Sequence, residues 1–326
     1  MRRARIIGVG AYAPKRILTN ADLEKMVDTS DEWIVQRSGI RERRIADDTE
    51  ATSDLAAKAA HQALERANLT PDDVDFIVVG TTSADMQFPS TANLVQYKLG
   101  CRQIGSVDVW AACTGSLYSL SVGAQYIQTG KYRRVLCIGA ETLSRITDWT
   151  DRGTCVLLAD AAGAAVLAPS PDEGGLIDAD LYSDGARGDL LYMAAGGSRL
   201  PSSRETVDAR LHYVRMKGGE IFKLAVRMFA ESAGTILARH GFTAADVDLF
   251  IPHQANLRII ESAVKRLGLP MERVFVNLDR YGNTGAASIY VALEEAVMAG
   301  RVKPGDLLLL AAFGGGVTWG AVLYRW

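Results

Sequence analysis

Cys113 closes the apolar run Val107-Asp108-Val109-Trp110-Ala111-Ala112, and beyond it Leu117, Leu120, Val122 and Tyr126 recur at helical spacing until Gly130. A strand that turns into a helix at this point sets the helix's unpaired N–H groups beside the thiol, which favours thiolate and makes a nucleophile. A free cysteine in such a run also reads as a small buried hydrophobe. His253 follows an apolar strand pattern at 249–251 and precedes a helical pattern at 256–267, so it stands at the carboxyl end of a strand. Asn283 lies in the turn Tyr281-Gly282-Asn283-Thr284-Gly285. Thiol, imidazole and carboxamide form one chemical set: a nucleophile able to hold an acyl group, and two donors able to stabilise an enolate oxygen. Phe313-Gly314-Gly315-Gly316 adds backbone N–H groups unobstructed by side chains, as an oxyanion hole requires. His61, His212 and His240 have no comparable setting and are expected to be structural or solvated.

The elements that must position this set occur twice. A helix, a polar turn and an apolar strand at 53–80 return around 241–253, with Val74-Asp75 recurring as Val247-Asp248. Strand, turn and helix at 107–130, then a strand at 135–139, are paralleled by 276–300 and a strand at 307–311. Gly115 and Gly130 correspond to Gly285 and Gly300, which puts Asn283 at the counterpart of the Cys113 turn, facing it. The expectation is an α/β protein of two similar halves, 1–172 and 173–326, divided at the loop-like stretch 169–175, with an active site between them.

Composition bounds the rest. In 326 residues, 48% hydrophobic, there is material for one large or two medium cores. With 36 basic and 38 acidic side chains the net charge is −2, which argues against nucleic acid and membrane surfaces as partners. Cys101, Cys113, Cys137 and Cys155 show neither close pairing nor metal-ligand spacing, which suits a reducing cytoplasm; Cys155 reads as structural. Residues 307–324 carry no charge and reach the length of a membrane span, yet the central triple glycine suits two buried strands joined by a tight turn. Met1 to Ile7 reads as the start of a first strand, since Gly8, Gly10 and Pro14 cut the apolar run too short for a signal peptide.

Two short helices follow, the first with Asn20 as N-cap, the second opening at 28–34. Trp33 and Arg37 share a face of the second, ahead of Arg41, Arg43 and Arg44. They read either as a core-packed tryptophan beside a solvated arginine or as an aromatic face with cations for a purine and its phosphates. The glycine- and serine-rich 183–210 is the place for a long functional loop, and 222–240 reads as a long helix on which Lys223 and Arg227 share a solvated face.

The blocks Thr29-Ser30-Asp31-Glu32-Trp33-Ile34, Ala111-Ala112-Cys113, Asp151-Arg152-Gly153-Thr154-Cys155, His253-Gln254-Ala255-Asn256-Leu257-Arg258, Tyr281-Gly282-Asn283-Thr284 and Phe313-Gly314-Gly315-Gly316 together resemble the β-ketoacyl-[acyl-carrier-protein] synthase III family of the thiolase superfamily. The resemblance runs from the first strand to Gly320 and implies a thiolase-like fold. It implies further that Cys113 accepts an acyl group from acyl-CoA, and that His253 and Asn283 serve decarboxylation of malonyl carried on acyl carrier protein. The oxyanion hole would come from the backbones of Cys113 and Gly315. Trp33 and Arg152 match residues that sandwich the adenine, and Thr29, Arg37, Phe222, Asn256 and Phe313 match others along the path of coenzyme A. Phe88 matches a residue that enters the partner's acyl pocket in a homodimer. Arg258, with Lys223, Lys265 and Arg266, would dock the acidic carrier protein. No metal or redox cofactor is implied; coenzyme A thioester is a substrate. Ser116 and Trp110 depart from the family pattern and bear on the acyl chain accepted. The alternatives are a specialised condensing enzyme of secondary metabolism and a non-catalytic acyl-CoA-binding homologue.

Overall fold

The computed structural model describes residues 3–326; Met1 and Arg2, read as the head of the first strand, lie outside the described residues. The chain begins with β1 (Ala4–Tyr12), β2 (Arg16–Thr19), α1 (Asn20–Leu23), α2 (Asp31–Ser38), β3 (Glu42–Ile45), α3 (Thr52–Arg66) and β4 (Phe76–Gly80). It continues through α4 (Thr91–Leu99), β5 (Gly105–Val109), α5 (Gly115–Gln128), β6 (Val135–Thr142), α6 (Arg152–Cys155) and β7 (Asp160–Pro169). Strands of this part form a five-stranded sheet in the order β1-β7-β6-β4-β5, with β4 parallel to both neighbours and β5 on the edge.

After residue 174 come β8 (Gly175–Ser183), β9 (Leu191–Met193), α7 (Arg204–Asp208), β10 (Val214–Met216), α8 (Gly218–Arg239), β11 (Leu249–Pro252), α9 (Leu257–Leu267), α10 (Leu278–Tyr281) and α11 (Ser288–Met298). β12 (Leu307–Gly314) and β13 (Thr318–Arg325) close the second sheet, ordered β11-β12-β13-β8. The uncharged stretch at 307–324 is thus an antiparallel pair, its strands almost wholly buried. Among the described residues no helix is long and apolar enough to cross a membrane.

Three cores separate the layers. α3 and α4 pack on one face of the first sheet, α8 and α9 on one face of the second, and α5 and α11 lie between the two sheets in a core drawing on both. Helices so placed must be apolar nearly all round. Leu117, Leu120, Ala124 and Ile127 of α5 and Ile289, Tyr290, Leu293 and Ala296 of α11 are accordingly buried.

Two local expectations fail. The first short helix is capped by Thr19, whose hydroxyl accepts from Asp22 N–H, and Asn20 is instead a buried side chain bonded to Arg43 and Asp31. Second, the counterpart of β5 is absent: Val274 makes an isolated bridge with Phe250, and α10 follows. The Gln254 side chain takes the backbone groups a neighbouring strand would use, donating to Phe275 O and accepting from Asn277 N–H.

Candidate active site

Past β5 the chain passes through a single turn of 3-10 helix, Ala112–Thr114, directly into α5. Ala112 has φ +47°, a left-handed conformation uncommon for a residue with a Cβ and one that collects at functional turns. The end of β12 lies against this turn so closely that a Cβ on Gly314 would stand 2.7 Å from Cys113 N. Thr318 Oγ1 donates to Ala111 O at 3.0 Å, tying the turn to β13 as well. Cys113 is half-buried and opens on a cavity, but burial, with the Glu141 carboxylate adding to it, pushes its thiol up to about 12. The helix N-terminus does not win here. The sequence expectation of a resting thiolate is therefore corrected: desolvation of the charged sulfur outweighs the partial charge of the helix end.

His253 follows β11 and is buried, and desolvation lowers it to about 3, so the ring is neutral. Its Nδ1 lies 2.6 Å from Ser288 Oγ at the start of α11. Asn283 precedes the same helix and is stitched to the first half, donating from its backbone N–H to Leu157 O and accepting from Ala159 N–H. Its Oδ1 accepts from Gly285 N–H at 3.0 Å, which leaves the amide N–H groups to donate. Gly285 has φ +54°, and a Cβ there would meet Glu141 at 3.0 Å. The turn at 285–287 packs on the Cys113 turn, so the two halves meet where the sequence repeat expected.

Cys113, Asn283 and Gly315 line one cavity of about 740 Å³ together with Thr82, Leu143, Ile146, Leu157 and Leu158. One wall is an antiparallel ribbon of β9, inside the loop region foreseen at 183–210, and β10, just beyond it; the two supply Leu191, Tyr192, Met193, Val214 and Met216. Val214 N–H donates to Ile146 O, and Arg210 and Arg215 both reach the buried Asp148, whose carboxyl is held well below its usual range chiefly by the Arg210 hydrogen bond. Ala195, Gly196, Gly197 and Ser198, inside the glycine- and serine-rich 183–210 but not singled out there as site residues, also line the cavity.

Three expected residues fall outside the cavity lining: His253, buried just after β11, and two more. Phe313 is packed in the core of the second sheet, outside the cavity lining, because the strand alternation turns it inward. Ser116 is buried on α5 and does not line the cavity, whereas Trp110 does, with 63% of its surface exposed. Phe88 is 84% exposed and does not line the chain's own cavity.

On the outer surface, Trp33 lies on α2 with the Arg152 guanidinium 4.8 Å from its ring centre and that of Arg37 at 5.9 Å. Arg152 also donates to Asp28 O, and the Thr29 hydroxyl beside it is buried without a protein partner. Asn256 caps α9, accepting from Arg258 N–H, and donates to Arg37 O, which joins this surface to the strand end bearing His253. Arg258 lies over the half-buried Phe222 at 5.4 Å. Lys223, Lys265 and Arg266 are exposed nearby on α8 and α9, Arg266 within 3.5 Å of Glu231. His240 bonds Asp178 and His212 bonds Thr206, structural roles as expected. The cysteines are free.

Residues 107–185 match the family model described as 3-Oxoacyl-[acyl-carrier-protein (ACP)] synthase III, and residues 237–326 match its C-terminal model. The chain is 53% identical over 323 residues to a Beta-ketoacyl-[acyl-carrier-protein] synthase III of Caldanaerobacter subterraneus subsp. tengcongensis, covering 99% of this chain and 98% of the relative. It is 51% identical to the protein of the same name from Natranaerobius thermophilus, with both chains covered in full. The crystal structure of 3-oxoacyl-[acyl-carrier-protein] synthase III from Aquifex aeolicus VF5 superposes with TM-score 0.92 at 47% identity, covering 99% of this chain and 100% of that one.

Proposed function

The chain belongs to the β-ketoacyl-[acyl-carrier-protein] synthase III family and is an initiating condensing enzyme of fatty acid biosynthesis; from its site we propose how the residues divide the reaction. In the first half-reaction the Cys113 sulfur bonds the acyl carbon of an acyl-CoA, with acetyl-CoA as the favoured primer, while the bond from that carbon to the coenzyme A sulfur breaks. The thiol proton finishes on the departing sulfur. Backbone N–H groups of Cys113 and Gly315 hold the thioester oxygen as charge develops on it. In the second half-reaction malonyl on acyl carrier protein loses carbon dioxide, and the bonding pair becomes an enolate whose oxygen receives hydrogen bonds from His253 and Asn283. The enolate carbon then bonds the acyl carbon, the Cys113 sulfur leaves, and one proton from the medium restores the thiol. These steps balance without a metal or redox cofactor, coenzyme A thioester entering as substrate.

The observation that carries this reading is the cavity on which Cys113, Asn283 and Gly315 converge from three different turns, with His253 at the adjoining strand end. Around it, Trp33 and Arg152 would sandwich the adenine, and Thr29, Arg37, Asn256 and Phe222 would line the path inward. Arg258, Lys223, Lys265 and Arg266 would dock the carrier protein. The exposed Phe88, Tyr97, Val107 and Trp110 lie on and around the unpaired edge strand β5, which supports a homodimer in which Phe88 enters the partner's acyl pocket. The free cysteines are in keeping with a cytoplasmic enzyme. Incubation of Cys113→Ala with radiolabelled acetyl-CoA tests the nucleophile: the protein should take up no label, and labelling at the wild-type rate would overturn the assignment.

A further inference from the structure

The first residue of α11, Ser288, is buried and touches His253 rather than the cavity. Its Oγ has two hydrogen-bond partners among the described residues, His253 Nδ1 at 2.6 Å and Gln254 N–H at 3.4 Å. The Gln254 amide can only donate, so it occupies an acceptor position on the hydroxyl and leaves the hydroxyl proton to be placed. Gln254 is itself held, its side chain donating to Pro252 O and Phe275 O and accepting from Asn277 N–H, so this backbone amide has little freedom to turn away. The one acceptor within reach of the Ser288 proton is then His253 Nδ1. A neutral imidazole that accepts at Nδ1 carries its proton at Nε2.

We propose that Ser288 is a positioning residue that holds His253 in the Nε2–H tautomer, making it a standing hydrogen-bond donor for the enolate oxygen. Burial keeps the ring neutral, so a single proton is at issue and the hydroxyl decides which nitrogen has it. A ring already protonated at Nε2 cannot take the Cys113 proton through that nitrogen. His253 is thereby confined to the decarboxylation half-reaction, and acylation proceeds with the thiol proton passing to the coenzyme A sulfur. The inference rests on the reaction proposed above but is read from the ring nitrogens directly.

Full-length enzyme labelled with ¹⁵N-histidine tests it at neutral pH, the His253 signals being identified by their loss in His253→Ala. The expected spectrum has a protonated Nε2 and an unprotonated, hydrogen-bonded Nδ1; a proton on Nδ1 would overturn the proposal. In Ser288→Ala, malonyl decarboxylation should fall at least about tenfold while acetylation of Cys113 keeps its rate, and Ser288→Thr, which restores the hydroxyl, should recover most of the loss. Decarboxylation at the wild-type rate in Ser288→Ala would equally overturn it. Should that variant lose acetylation as well, it has lost its fold, and the wild-type spectrum alone decides. Absence of acetylation in the wild type would count against the nucleophile and leave the tautomer result standing.

Discussion

The Cys113 thiol keeps its proton in the resting protein because two effects of opposite sign act on it and the larger is burial. A helix N-terminus favours a nearby anion by up to about 2 kcal/mol in partly buried geometry, whereas desolvation of a buried charge shifts a titration by several units. Here the sum lies about 12, with the Glu141 charge adding to the penalty. The cysteine should therefore behave as an ordinary, sluggish thiol until a thioester occupies the oxyanion hole. Alkylation of the free enzyme by iodoacetamide, followed at Cys113 by mass spectrometry, should accelerate about tenfold per pH unit from 7 to beyond 9. A rate plateau below pH 8 would show a thiolate that burial has not suppressed.

At the scale of elements, the cavity at the sulfur is walled by the β9–β10 ribbon and the loops beside it, whereas the coenzyme A path proposed above crosses α2, α8 and α9. Asn256 caps α9 and bonds the end of α2, so the face bearing Trp33 and the helix bearing Arg258 are held to each other. Because the chain is nearly neutral overall, attraction for an acidic carrier protein must come from this local group of cations. Reversal of Arg258 to glutamate should raise KM for malonyl carrier protein several-fold at low salt and flatten its salt dependence, with acetylation of Cys113 by acetyl-CoA nearly intact. Unchanged carrier-protein kinetics at low salt would move the dock elsewhere. The elements themselves were legible to different depths. The β12–β13 pair could be read because a triple glycine interrupts an uncharged run, and the turns of Cys113 and Asn283 because the repeat aligns them. The lost counterpart of β5 could not be read, since it depends on the Gln254 side chain folding back onto a segment some twenty residues away. Ser288 and Glu141 were illegible for a related reason: a buried polar group shows its role only through partners that the fold brings to it.

Glu141 belongs to the scale of the whole molecule, for it joins the halves. It accepts from the N–H groups of Thr82 and Ser83 and from the hydroxyls of Thr81, Thr82 and Ser83, and it lies against Gly285 in the opposite half. Burial raises its carboxyl from 4.5 to about 7 despite these donors. A raised carboxyl in the folded state means that the unfolded chain releases its proton first. This group's contribution to stability is thus fully present below pH 4.5 and is lost as pH rises to about 7, a change of the order of a few kcal/mol. Thermal unfolding across this range should show wild type falling relative to Glu141→Gln, which has no carboxyl to ionise; parallel curves would contradict the account. The central claim is the division of labour between the halves, with the nucleophile on the first and the enolate donors on the second. It is tested most directly by measuring both half-reactions in His253→Ala and Asn283→Asp. Acetylation of Cys113 should proceed at close to the wild-type rate in each, while malonyl decarboxylation falls about a hundredfold or more, since each change removes a donor that acts where the enolate oxygen forms. Unimpaired decarboxylation in both variants, or loss of acetylation in step with it, would contradict that division.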